Sequence, residues 1–289
     1  MDAETVDLQT LVARYRSHLQ LGQTTIRERY LADGDAPRLL RERCGLIDEV
    51  LCDLWQALHL PASLALLAVG GYGRGELYPA SDVDLLLLLP EPPGEALIPQ
   101  LERAVTLCYD IGLEVAPSVR TVGECAAAAG DLTIQTALLE ARLLVGSEEL
   151  FDEFSAELEK VLDPHAFFEA KRSEQDERHL RYDDTPYSLE PNCKESPGGL
   201  RDLQTILWIA SAAGYGRTWD DLAQYGFLTH EEQEQLKRSI GFLQQLRTRL
   251  HIHAGRREDR LLFDYQTALA EQLGYQATET RRASERLMQ

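Results

Sequence analysis

The sequence predicts an α+β protein, in which a small mixed sheet with helices is followed by an all-helical domain. Three observations lead there. Two short apolar runs, 64–69 and 83–89, are closed by Gly70-Gly71 and by Pro90, as buried strands are. A third stretch, LEVAPSVR at 113–120, contains Pro117, which suits an edge strand or a bulge. From Asp131 onward only helical patterns recur.

In chain order, residues 4–31 and 37–60 carry apolar side chains at helical spacing, including Leu39, Leu46, Val50, Leu51 and Leu54. The two strands follow, and helical periodicity returns over 95–111 before the third strand. Asp131 reads as the N-cap of the next helix. The helical part is broken near Gly146, across 183–199, and near Gly214 and Gly216. The change of character between 120 and 150 divides the chain into 1–145 and 146–289. The last residues, RRASERLMQ, read as a helix without a stop signal, as expected of a fragment of something longer.

The formal net charge of the 289 residues is −19. So acidic a surface repels phosphate backbones and gives no counterion release, which argues against long nucleic acid as a substrate. The basic stretches RREDR at 256–260 and RRASER at 281–286 are interleaved with acids and read as solvated helix faces. Five widely spaced cysteines without a C-x-x-C pair suit reduced thiols, the N-terminus is acidic rather than apolar, and no apolar run approaches a membrane span. The expectation is a cytoplasmic protein with no membrane partner.

The chemistry concentrates in AVGGYGRGELYPASDVDLLLLLP, residues 68–90. Side chains alternate along a strand, so Asp82 and Asp84 share one face, roughly 6–7 Å apart. Two like charges at the start of a buried strand raise each other's pKa, and a divalent cation between them removes that penalty. An all-oxygen ligand set favours Mg²⁺ or Mn²⁺ over zinc. Gly70, Gly71, Gly73 and Gly75 let the backbone approach a ligand and aim N–H groups at phosphate oxygens. The dinucleotide fingerprint fails because Glu76 stands where its third glycine belongs, and the P-loop fails because Glu76 replaces its lysine.

A Gly-Gly turn followed about ten residues later by Asp-x-Asp at a strand start resembles the nucleotidyltransferase superfamily with the DNA polymerase β-type palm. That resemblance implies a triphosphate held by the glycine turn at Gly70 and Gly71, with Ser81 and Arg74 nearby, and metal ions on the paired aspartates. A third carboxylate from a neighbouring strand completes such sites. Glu114 is the candidate and Asp110 the fallback, although Glu114 also reads as the exposed start of a strand.

YSLEPNCKESPGGLRDLQTILW at 187–208 and LHIHAGRREDRLLFDYQTALAEQLGY at 250–275, taken with the glycine block, closely resemble the bifunctional uridylyltransferase/uridylyl-removing enzymes that modify the nitrogen-signalling protein PII. The likeness runs from about residue 60 to the end. It implies transfer of UMP from UTP to a tyrosine hydroxyl of PII, with Asp82, Asp84 and Glu114 as catalytic metal ligands. It also implies an HD hydrolase and two glutamine-sensing ACT domains that this sequence lacks, so uridylyl removal and direct glutamine sensing are not expected of it. The alternatives are an adenylyltransferase acting on glutamine synthetase, which shares the turn and the aspartates, and a catalytically silent module that binds PII or nucleotide.

Within NCKESPGGLRDLQ, Pro197-Gly198-Gly199 opens a helix whose first amides suit an anion, flanked by Lys194 and Arg201 as substrate contacts. The structural alternative is that Arg201 pairs with Asp202 and the turn only docks one domain on the other. His251 and His253, at i and i+2, face different sides of a helix and read as surface or packing residues.

Overall fold

A computed structural model describes residues 8–182, 185 and 187–289. Residues 4–7 of the first expected helix, and Asp183, Asp184 and Pro186 in the expected break, lie outside the described residues. The fold is the expected one in class: predominantly helical, with one four-stranded mixed sheet. The chain divides into two compact units, 1–77 with 81–162, and 78–80 with 163–289.

The first unit opens with α1 (Leu8–Asp33) and α2 (Ala36–Ala57). Asp35 caps α2 by accepting from the Arg38 N–H at 3.0 Å, and Pro37 stands in its first turn. Then come β1 (Ala65–Ala68), a single helical turn α3 (Gly70–Gly73), β2 (Val83–Leu89), α4 (Ile98–Asp110) and β3 (Val115–Thr121). The unit closes with α5 (Val122–Ala128), α6 (Leu132–Leu139), β4 (Arg142–Gly146) and α7 (Glu148–Val161). Asp131 is the cap of α6, accepting from Thr133 and Ile134.

The strand order is β3-β2-β1-β4, with β2–β3 parallel and the other pairs antiparallel. Pro117 therefore sits on an edge strand, where its missing N–H costs no ladder bond. Leu66, Ala68, Leu85 and Leu87 pack against Ile47, Val50, Leu51 and Leu54 of α2. Leu67, Leu86 and Leu88 of the opposite face are equally buried, and α7 packs on β1 and β2. Burial on both faces is why these strands read as unbroken apolar runs.

Two expectations are corrected. β4 interrupts the stretch after Asp131 that reads as wholly helical, because RLLVG is too short for periodicity to separate a strand from a helix end. Its pairing with β1 carries the first unit on through α7, so the division falls after Leu162 rather than after residue 145.

The second unit contains α8 (Pro164–Arg181), α9 (Leu200–Ala212), α10 (Trp219–Gln224), α11 (His230–Ala254), α12 (Phe263–Gln272) and α13 (Ala283–Leu287). Thr229 and Glu232 form a capping box at the start of α11, and Gly255, left-handed at φ 66°, ends it. Leu246 and Leu250 of α11 meet Cys193, Leu261 and Leu269 in this unit's core.

Candidate active site

The site is built where β1 ends and β2 begins. Extending their register by one residue sets Val69 opposite Asp84, and the Val69 N–H donates to the Asp84 carbonyl at 3.1 Å. The glycine turn that follows Val69 is thereby brought against Asp84. Asp84 is half-buried, Ser81 half-buried, and Asp82 is exposed just ahead of the strand. The sequence expectation of two carboxylates on a buried strand is corrected to one on the strand and one at its solvent-facing entry.

Three of the four glycines are constrained differently. Gly70 has φ 56°, and a Cβ there would stand 3.0 Å from Asp84 Oδ2. At Gly73 a Cβ would collide with the backbone, 2.1 Å from the Glu140 carbonyl oxygen and 2.8 Å from that of Ala68. At Gly71 a Cβ would meet the Glu76 carbonyl at 3.5 Å and an Arg74 terminal nitrogen at 3.9 Å, both ordinary contacts. Packing thus explains Gly73, which the sequence reading had assigned to a ligand, and leaves Gly71 without a structural cause. The amides of Gly73, Arg74, Gly75 and Glu76 are consumed within the turn itself, whereas the first N–H groups of a helical turn have no intrahelical acceptor.

Two polar clamps hold this turn. The buried Tyr72 hydroxyl donates to Asp48 Oδ1 of α2 at 2.5 Å, and Arg142 of β4 grips both Asp48 oxygens at 2.8 and 3.1 Å. Burial, and then the Asp48 charge, push the Tyr72 phenol well above its ordinary pKa, so it serves as a fixed donor. Arg74, expected as a phosphate contact, donates from Nε to Glu76 at 2.9 Å and from a terminal nitrogen to Glu140, the residue that follows α6. Burial alone lowers the Arg74 pKa, but the Glu76 and Glu140 charges outweigh it and keep the guanidinium cationic. Its charge is balanced by two carboxylates within the protein.

Asp48, Glu140 and Arg142 escaped the sequence reading. None lies in a recognisable motif, and each reaches the turn from a segment distant in sequence.

Glu114 is exposed and immediately precedes β3. Its carbonyl accepts from the Val83 N–H at 2.8 Å, and Val83 pairs with Val115, so Glu114 stands opposite Asp82 in the parallel register. Asp110 ends α4, exposed, with its carbonyl accepting from Arg16 Nε at 3.1 Å. Among the described residues no group of three or more His, Cys, Asp or Glu side chains is gathered as a metal cage. Mg²⁺ needs none: it is commonly held by one or two carboxylates and completed by substrate phosphates and water. Asp82 and Asp84 fit that requirement as hard oxygen donors at one strand entry.

In the second unit Lys194 and Arg201 both engage Glu195, at 3.4 and 3.3 Å. Burial, reinforced by Arg201 and Arg247, lowers the Lys194 pKa to about 8. The opening of α9 is not the vacant anion site its sequence suggested. The N–H groups of Leu200 and Arg201 donate to the carbonyls of Cys193 and Lys194, and the Gly198 N–H donates to Asp202 Oδ2 at 2.7 Å. Asp202 also accepts from Arg178 at 2.6 Å and Gln175 at 2.9 Å, so its partner is Arg178 rather than Arg201.

A mixed four-stranded sheet carrying a glycine turn against an Asp-x-Asp strand entry is the arrangement that the resemblance to nucleotidyltransferase domains implied. Residues 46–144 accordingly match the family described as Nucleotidyltransferase domain. Residues 166–289 match a second family, GlnD PII-uridylyltransferase. The chain is 52% identical over 274 residues to a bifunctional uridylyltransferase/uridylyl-removing enzyme of Burkholderia orbicola strain AU 1054, covering 94% of this chain and 32% of that protein. Proteins of the same name from Nitrosospira multiformis and Aromatoleum aromaticum are each 51% identical, over 281 and 283 residues. Those matches cover 95% and 98% of this chain, and 32% and 33% of the relatives. The chain is a relative of the bifunctional uridylyltransferase/uridylyl-removing enzymes, and it spans about a third of their length.

Proposed function

We propose that this chain transfers UMP from UTP to a tyrosine hydroxyl of a PII signalling protein in the cytoplasm, releasing pyrophosphate. The observation that carries the reading is the pairing of Asp82 and Asp84 with a glycine turn in which Gly71 has no packing reason to lack a side chain. Gly70 and Gly71 let the triphosphate lie against the backbone. The tyrosine oxygen forms a bond to the α-phosphorus, and the bond from that phosphorus to the pyrophosphate oxygen breaks. Glu114, exposed opposite Asp82, would join Asp82 and Asp84 as a metal ligand, and the tyrosine proton passes to a carboxylate of the site. Asp82 and Asp84 would hold Mg²⁺ or Mn²⁺, which when bound neutralises charge developing around the α-phosphate. Five free cysteines suit the cytoplasm, and no helix among the described residues is long and apolar enough to cross a membrane.

The test is incubation with PII, Mg²⁺ and either UTP or ATP, followed by intact-mass measurement of PII. A uridylyl increment is expected with UTP alone and is lost in Asp84→Asn at unchanged melting temperature. An adenylyl increment, or full turnover by Asp84→Asn, refutes the reading.

A further inference from the structure

Tyr78, Pro79 and Ala80, which lead directly into Ser81 and Asp82, group with the helical unit. What holds them is α11 and the turn behind it. The buried Tyr78 ring lies under the Arg247 guanidinium, 3.9 Å from its carbon to the ring centroid, with the His251 ring 5.8 Å away. The Ala80 N–H donates to His251 Nδ1 at 3.3 Å. The other ring nitrogen, Nε2, is 3.2 Å from Asp259 Oδ1, which also accepts from Arg247 Nε at 2.6 Å.

Both histidine contacts are hydrogen bonds in one state only, the neutral ring with its proton on Nε2. Burial favours that state by lowering the His251 pKa, with Asp259 opposing. Asp259 reaches the ring because left-handed Gly255 turns the chain back, and its carbonyl is tied to the Cys193 N–H at 2.8 Å. RREDR is thus a returning loop that carries the half-buried Asp259 carboxylate rather than a solvated helix face. His251 is 1% exposed, so its ring has no room to re-aim. Pro79 fixes one φ of the segment, and the hydrogen bond at Ala80 fixes the amide two residues ahead of Asp82.

We propose that His251 is a positioning residue for the aspartate pair, acting through the Ala80 backbone, with Asp259 and Arg247 holding its ring. The inference rests on the nucleotidyl-transfer reading above. It replaces the view of His251 as a packing residue and gives α11 a part in the chemistry of a carboxylate far removed in sequence.

The test uses three variants of the full chain. His251→Asn places an amide oxygen near Nδ1 and keeps the acceptor for Ala80. His251→Gln reaches the Nε2 position and keeps only the Asp259 contact, and His251→Phe keeps neither. Amide exchange at Ala80 and Mn²⁺–UTP affinity by calorimetry are measured for each. Exchange at Ala80 is expected to rise, and Mn²⁺–UTP to bind about tenfold more weakly, in the Gln and Phe variants, with the Asn variant close to wild type. A purely structural histidine would move Asn and Gln together. Wild-type binding with equal affinity in Asn and Gln overturns this inference alone, whereas a wild-type chain that binds no Mn²⁺–UTP overturns the nucleotide reading and this inference with it.

Discussion

Replacing Gly70 with alanine tests the contact on which the site is built. At φ 56° an L side chain in the left-handed region costs about 1–2 kcal/mol. The added methyl would stand 3.0 Å from Asp84 Oδ2, where ordinary contact begins at 3.4 Å, so the carboxylate must give by about 0.4 Å. The first effect is a loss of stability, and at 2–4 °C per kcal/mol for a unit of this size the melting temperature should fall by roughly 2–8 °C. The second is a displaced Asp84, the carboxylate proposed to hold the metal. A 1 Å misplacement near reacting atoms can cost about a hundredfold in rate, so a shift of this size should cost about tenfold. Thermal melts, together with initial rates of UMP transfer per folded molecule, separate the two. A variant that melts early but turns over normally would show that Asp84 is not held by this turn. One unchanged in both would refute the geometry altogether.

Three further outcomes are expected. Gly71→Ala should keep or raise the melting temperature, since the methyl meets ordinary contact and the unfolded chain loses about 0.4–1 kcal/mol of freedom, yet it should abolish stabilisation by Mg²⁺–UTP; a retained nucleotide shift would exclude this glycine from binding. Arg74→Met takes the cation from a Glu140 side chain that is 8% exposed and should cost about 3 kcal/mol in urea melts, with Arg74→Met/Glu140→Leu recovering part of it; a double variant no better than the single contradicts the ion-pair role. Lys194→Met should be more stable than wild type at pH 7, and the gap should close between pH 8 and 10.5. In that window the folded amine is already neutral while the unfolded one still binds its proton, so rising pH favours the wild-type fold; a gap independent of pH would show that Lys194 is charged when folded.

Legibility followed the range of the interaction. The runs that became β1 and β2, the edge character of Pro117, the cap at Asp131 and the helix opened by Gly199 were all readable, because each depends on neighbours a few residues away. β4 was missed because five residues hold too little periodicity, and only pairing with β1 makes them a strand. Arg74 read as a phosphate contact because Glu140, which binds it together with Glu76, lies 66 residues on. The opening of α9 read as an anion site because the carbonyls and the Asp202 carboxylate that fill it are fixed only by the loop's fold.

By itself the sequence determined the class of fold, the glycine turn and the aspartate pair, since strand alternation and turn chemistry are local consequences of residue order. The tertiary structure decided which glycine is required by packing, which cations are already neutralised, and that Asp48 and Arg142 hold the turn. Those outcomes depend on side chains from remote segments meeting in three dimensions, and no spacing along the chain encodes such a meeting.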